Sequence, residues 1–313
     1  MKKIIIIAGA TASGKSDLAI KLAKRFGGEV ISADSRQIYK HIPNFSGAVL
    51  PNEMGGVKHH LLSFLNEDEK FSVQDFSHKS EKIIEKLNNK GEIIWVVGGT
   101  SFYLESIIYK NFFPEVGPDF KFRAEKEKKS VEELFQELKD FDSERAKKID
   151  KKNKVRIIRA LEIIKEMGGV PELKKELRGD REILFLWLWR PIDKQRELIE
   201  KNIERRIKNG LLEDGEKLEK YLKSLNWNED KIKERFWKIG QGFKFYFDLK
   251  ERKINLNDFK ERLYFEEGKY AKKQNTYLKK LFHNLPEEVE KHKIDLSLGN
   301  FNEEVLKKFI ANI

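Results

Sequence analysis

Residues 9–16 read Gly9-Ala10-Thr11-Ala12-Ser13-Gly14-Lys15-Ser16 and meet every fixed position of the pattern G-x-x-x-x-G-K-[S/T]. The chemistry of such a stretch is polyphosphate binding. Loop amides and a helix N-terminus surround the phosphates, Lys15 reaches their oxygens, and the Ser16 hydroxyl can ligate Mg2+. Two further residues stand at the ends of apolar runs. Asp34 follows Glu29–Ala33, where a carboxylate can act as a general base or hold a metal's water shell. Thr100 follows Glu92–Val97 and Gly98-Gly99, where its hydroxyl can bond a base or a phosphate. Each also has a local alternative, because Asp34 can cap the turn after it and Thr100 can cap a helix.

These residues need a sheet to hold them. Ile4–Ala8 is a β-branched run of strand length, and Asp17–Phe26 places Leu18, Leu22 and Phe26 at helical spacing. The phosphate loop therefore lies between a strand and a helix. Glu29–Ala33, Glu92–Val97 and Glu182–Arg190 supply further strands, and in an open α/β sheet ligands sit beyond the carboxyl ends of the strands. The expected fold is α/β, a P-loop NTPase-like parallel sheet core with a helical insertion and a helical C-terminal region. Residues 1–110 form the core, completed by strand 182–190. Residues 111–148 form the insertion, and 149–313 are mainly helical, with helices alone from Gln195 onwards. Ser72 and Asp75 predict a capping box, with the helix stopping near Gly91. His59 and His60 point to opposite faces of an extended segment, so one packs, the other hydrogen-bonds, and they do not share a metal.

The strand ending in Gly98-Gly99-Thr100 carries no acidic residue at its end, unlike many phosphate-loop hydrolases. The chain has no cysteine, which excludes disulfides, thiolate zinc sites and cysteine nucleophiles. It has no apolar stretch of membrane-spanning length, and it fits a cytoplasmic protein without membrane partners. The formal charge is +11, yet residues 1–100 hold 14 Lys/Arg against 11 Asp/Glu, so most of the excess lies beyond the phosphate loop. A polyanion larger than a nucleotide is one explanation, and lysine-rich solvated helices are the other. Lys269, Lys272, Lys273 and Lys280 share roughly one side of a long helix near the C-terminus, a candidate phosphate-backbone surface.

Eight stretches in order, GATASGKS (9–16), ADSRQIYK (33–40), GVKHHLL (56–62), FSVQDF (71–76), VVGGTSFYL (96–104), IDKKNKVRIIRALE (149–162), GLLED (210–214) and KYAKKQNTY (269–277), together resemble the tRNA dimethylallyltransferases, also called tRNA isopentenyltransferases. The resemblance implies transfer of a dimethylallyl group from dimethylallyl diphosphate to N6 of the adenine just 3′ of the tRNA anticodon. It implies that Gly9, Ala10, Thr11, Ala12, Ser13, Gly14, Lys15 and Ser16 cradle the diphosphate without splitting ATP, with Mg2+ on Ser16. Asp34 would accept or orient the amine proton, and Thr100 would contact adenine or diphosphate. Asp34, Ser35, Arg36, Gln37, Thr100, Arg123, Arg156, Arg159, Lys269, Lys272, Lys273 and Gln274 would meet tRNA. Segment 111–148 would grip the anticodon arm of a tRNA bound to a monomer, and the adenine would be flipped out of its loop.

The chain departs from that family's pattern in three places. The slot after Tyr39 that usually reads Gly-Thr-Ala-Lys-Pro holds Phe45-Ser46-Gly47-Ala48-Val49 and lacks the lysine. The family's arginine eight residues before Gly-Leu falls on Asn202, with Arg206 one helical turn later as the expected substitute in the catalytic set. Tyr277 replaces the usual tryptophan. The other functions that fit the residues are a small-molecule kinase with the same loop, a prenyltransferase for free adenine nucleotides, and a non-enzymatic RNA-binding protein.

Overall fold

The structure is a computed structural model. It describes all residues except 111, 112, 115, 173, 174, 241, 299, 300, 302, 312 and 313. The first two residues of the expected insertion thus lie outside the described residues. The chain divides into two compact units, one of Met1–Ile108 with Leu177–Ile313, the other of Tyr109–Glu176.

In the first unit, β1 (Lys2–Gly9) leads through the phosphate loop into α1 (Lys15–Phe26). There follow β2 (Glu29–Ser32), α2 (Pro43–Ser46), β3 (His59–His60), α3 (Val73–Asn88), β4 (Ile94–Gly98) and α4 (Ser101–Ile108). Helix α3 begins with the expected capping box of Ser72 and Asp75. The second unit holds β5 (Tyr109–Lys110), α5 (Phe120–Lys126), α6 (Val131–Phe141), α7 (Ser143–Lys148) and α8 (Lys154–Met167), and ends at β6 (Glu176–Leu177). Returning to the first unit, the chain forms β7 (Arg181–Trp189), α9 (Ile192–Lys208), α10 (Leu211–Ser224), α11 (Glu229–Ile239), α12 (Tyr246–Lys250) and the 28-residue α13 (Leu256–His283). It closes with β8 (Glu290–Asp295) and α14 (Glu304–Ile310).

Six strands form one sheet in the order β3-β2-β4-β1-β7-β8, every pair parallel. The central β1 is a continuous isoleucine run, and Ile4–Ala8 are all at most 1% exposed, as a strand covered on both faces requires. Ile5, Ile7, Trp95, Val97, Leu184 and Leu186 pack with Ala19 and Leu22 of α1 and Leu306 of α14. A separate core joins Phe45, Ile199, Leu218, Phe236, Phe243 and Phe259 among the C-terminal helices.

Two expectations are corrected. The region beyond Gln195 is not helical throughout, because β8 pairs with β7 from Leu184↔Glu290 to Trp189↔Asp295. Its sequence, Glu-Lys-His-Lys-Ile-Asp, buries only Ile294. A charged edge strand of this kind lacks the apolar alternation by which strands are recognised. The two histidines also differ from expectation, since both hydrogen-bond: His59 to the Val57 carbonyl at 2.9 Å and His60 to the Glu29 carboxylate.

Taken by itself, the second unit packs Leu134, Leu138, Ala146, Ile157, Ile158 and Leu161 into a small core. Helix α8 belongs to it, so its extent differs from the 111–148 segment drawn from sequence.

Candidate functional site

All strands of the sheet run the same way, so β1, β2 and β4 deliver their carboxyl ends to one edge. Ala8 lies beside Gly98, and Ser32 beside Val97. The loop after β1, Asp34 after β2 and Thr100 after β4 are thereby brought together.

The phosphate loop turns at Gly14, whose φ of 87° is left-handed and suits glycine. At Gly9 a side chain would collide with Ser13. Lys15 opens α1 and is only 7% exposed, with Nζ 3.5 Å from the Ala10 carbonyl. Burial lowers the Lys15 pKa, and the carboxylates of Asp34 and Asp17 oppose that shift. A phosphate anion beside the buried Lys15 would favour its charged form and offset the cost of burying it. The Ser13 hydroxyl is buried without a hydrogen-bond partner among the described residues.

Asp34 is 6% exposed, and its Oδ1 accepts the Arg36 amide at 3.0 Å, the turn-capping role weighed from sequence. The carboxylate also faces two tyrosines. The hydroxyls of Tyr103 and Tyr270 are pushed up, first by burial and then by the Asp34 charge. Thr100 Oγ1 accepts the Ser35 amide at 3.0 Å and donates to Ser35 Oγ at 3.3 Å. The Thr100 hydroxyl therefore fixes the residue beside Asp34, while its carbonyl accepts the Tyr103 and Leu104 amides at the start of α4. Gly98 has no room for a side chain, because the Ala33 backbone lies against it.

Two cavities meet at this edge. One is polar and is lined by Ser13, Lys15, Ser16, Gly47, Asn202 and Arg205. The other is mixed in character, with Asp34, Arg36 and Tyr270 beside the apolar side chains of Ile42, Phe45, Ile239, Phe243 and Leu263. Lys15, Gln37, Arg206 and Glu267 line both. Arg206 is 6% exposed and ion-paired with Glu267 of α13, and its Nη1 donates to the Phe45 carbonyl at 3.0 Å. The arrangement has one cavity lined by the phosphate loop and one that sets a carboxylate beside an apolar wall.

The altered slot now has a place. Phe45 stacks on Phe243 in the apolar wall, while Gly47, Ala48 and Val49 line the polar cavity. No lysine comes from this segment, but Arg205 and Arg206 of α9 line the same cavity, each paired with a glutamate that also lines it, Glu53 and Glu267. Asn202 also lines it, so the position of the family's arginine and its substitute both reach the site. Asp214 holds the segment from below, accepting the amides of Asn44 at 2.7 Å and Phe45 at 3.1 Å.

The expected tRNA contacts fall into three groups. Ser35, Arg36 and Gln37 gather at the site, but their side chains are largely engaged. Arg36 donates to the carbonyls of Lys238 (3.1 Å) and Ile239, and Gln37 donates to the Gly47 carbonyl at 2.9 Å. In the second unit, Arg123 bonds the fully buried Glu162 at 2.7 and 2.6 Å, and Arg159 pairs with the same carboxylate. Arg156 is exposed. On α13, Lys269 and Lys272 line a groove of about 850 Å3 with Trp187, Trp189, Arg196 and Lys279. Among the described residues no acidic side chain lines that groove. Lys273 is exposed but does not line it. Gln274 does not share the lysines' exposed face; it is 4% exposed and turned inward. One helical step of 100° separates it from Lys273, enough to carry it into the core.

Tyr103, Glu267, Tyr270 and Asp214 were missed as site residues. Tyr270 and Glu267 stand at i, i+3 on one face of α13, a spacing visible in the sequence. Nothing local marked Glu267 among 52 acidic residues.

A parallel sheet whose carboxyl edge joins a phosphate loop, a buried carboxylate and a mixed polar and apolar cavity is the architecture of a phosphate-loop protein. A family model for IPP transferase matches residues 37–281, and the chain belongs to that family. It is 34% identical over 288 residues to the tRNA dimethylallyltransferase of Clostridioides difficile, covering 90% of each chain. It is 32% identical to that of Thermoanaerobacter sp., covering 88% of this chain and 89% of the relative. Among solved structures, a eukaryotic dimethylallyltransferase acting on tRNA aligns with a TM-score of 0.83 at 27% identity, over 100% of this chain and 80% of that one. The tRNA isopentenylpyrophosphate transferase of Bacillus halodurans aligns with a TM-score of 0.64 at 27% identity, over 100% and 96%.

Proposed function

We propose that this protein transfers a dimethylallyl group from dimethylallyl diphosphate to N6 of the adenine immediately 3′ of the anticodon in tRNA. The observation that carries this reading is the junction of the two cavities at Lys15, Arg206 and Glu267, with Asp34 lining the mixed one. The diphosphate lies in the polar cavity, held by the loop amides, Lys15 and the α9 arginines. The five-carbon chain lies among Ile42, Phe45, Phe243 and Leu263. The C1–O bond to diphosphate breaks, a bond from N6 to C1 forms, and the amine proton passes to Asp34. Lys15 and Arg206 stabilise the charge that gathers on the leaving oxygens.

Magnesium suits this donor set. Ser16 offers a hydroxyl oxygen on the polar cavity, a hard ligand for the ion. Among the described residues no three His, Asp or Glu side chains form a metal cage, so the ion would be carried largely by the phosphates. When bound it supplies further charge neutralisation on the leaving group.

The tRNA lies along the basic surface of α13, with Lys269 and Lys272 on its phosphates. The second unit, with Arg156 exposed on α8, supplies contacts to the anticodon arm. No helix among the described residues is long and apolar enough to cross a membrane, and we place the enzyme in the cytoplasm, acting as a monomer.

The test is transfer of labelled dimethylallyl diphosphate, with Mg2+, to an unmodified tRNA carrying adenine 3′ of its anticodon, beside free AMP and no acceptor. Label in tRNA alone supports the proposal. Label in AMP would assign the protein to free nucleotides, and no transfer with tRNA still bound would leave an RNA-binding protein.

A further inference from the structure

Thr11, the third residue of the phosphate loop, has both of its backbone polar groups held by side chains from far along the chain. Its amide donates to Gln274 Oε1 at 2.8 Å. Its carbonyl accepts from Gln195 Nε2 at 2.9 Å. The Gln195 oxygen is in turn fixed by Asn275 Nδ2 at 2.7 Å. Gln195 and Gln274 are 1% and 4% exposed. Gln274 has a second partner, because its Nε2 donates to the Gly99 carbonyl at 3.3 Å. That approach is possible only beside glycine, since a side chain at position 99 would collide with the Gln274 amide.

One amide thus spans two loops. Gly99 precedes Thr100, whose hydroxyl holds the Ser35 amide next to Asp34. The donor loop and the acceptor carboxylate are both indexed to Gln274. The amide supplies an acceptor to Thr11 and a donor to Gly99 together; a carboxylate lacks the donor and an ammonium lacks the acceptor.

We propose that Gln274 is a positioning residue. It sets the phosphate loop against the acceptor strand end, with Gln195 and Asn275 as its second arm, and it does not contact RNA. The inference rests on the donor site described above, where Gly9–Ser16 hold a diphosphate. Its consequence is that α9 and α13 determine the shape of a loop more than 180 residues away in sequence. Lost alignment then shows as weaker diphosphate binding and slower transfer, with RNA affinity intact.

The experiment measures binding of inorganic diphosphate with Mg2+ by calorimetry and tRNA affinity across a salt series, for wild type, Gln274→Ala, Gln274→Glu and Asn275→Ala. Gln274→Ala and Gln274→Glu are expected to weaken diphosphate roughly tenfold to a hundredfold. In the two Gln274 variants the tRNA affinity and its salt slope should stay at the wild-type values. Asn275→Ala removes only the outer link, so it remains informative if the Gln274 variants unfold. It is expected to weaken diphosphate by about threefold, within the range of one lost hydrogen bond. Unchanged diphosphate affinity in the folded variants, or lowered tRNA affinity alone, would overturn the proposal. A wild-type protein that binds no diphosphate would overturn the donor site itself.

Discussion

Arg206 and Glu267 form a buried ion pair on the wall shared by the two cavities, joining α9 to α13. The pair leaves Arg206 Nη1 on the Phe45 carbonyl, so the same guanidinium orders the segment that lines both chambers. Removing one partner strands the other charge in a buried site. Glu267→Ala is expected to destabilise the fold by about 3–5 kcal/mol and to raise the KM for the donor, checked by denaturant unfolding and steady-state kinetics. An unaltered unfolding midpoint would show that the pair is solvated.

Asp34→Asn keeps the shape of the turn and the acceptor for Arg36 but removes the base. Transfer should fall by roughly 10²–10⁴-fold, while diphosphate and tRNA bind as before. Single-turnover rates at saturating tRNA check this, and a preserved rate would remove Asp34 from the proton transfer.

The groove on α13 gives a salt-dependence test. Replacing Lys272 and Lys279 by alanine should weaken tRNA binding and reduce the slope of log affinity against log salt by about one per lysine. An unchanged slope would place the RNA elsewhere.

Asp214 makes stability depend on pH. Burial lifts its carboxyl from 3.8 to about 6, against the hydrogen bonds from Asn44 and Phe45 that favour the charged form. The folded state therefore holds the proton more tightly than the unfolded chain. The associated stability is complete below the ordinary carboxylate range and is lost as pH rises through about 6, at about 1.4 kcal/mol per pH unit. Asp214→Asn should flatten that slope between pH 4 and 7 in thermal melts. A slope equal to wild type would show that other groups set it.

Much of this was legible because it is local. The phosphate loop, Asp34, Thr100 and four strands follow from short runs whose neighbours in sequence are neighbours in space. Arg206 was reachable by one helical turn from Asn202. What escaped notice depends on distant partners. Gln274 lies within a lysine-rich stretch that reads as surface, and only the approach of Thr11 and Gly99 shows that it faces inward. Asp214 serves a segment 170 residues earlier. Arg123 and Arg159 look like free cations until Glu162 of α8 is placed between them.

The last strand carries a consequence for solubility. β8 covers the outer side of β7, pairing with Leu184 through Trp189. A chain ending at Leu285 would leave β7 as a long, flat, apolar margin with open backbone donors and acceptors. Such a margin recruits strands from neighbouring molecules. The charged segment that ends the sheet occupies those backbone groups and presents Lys291, Lys293 and Glu290 where β7 would otherwise be the margin.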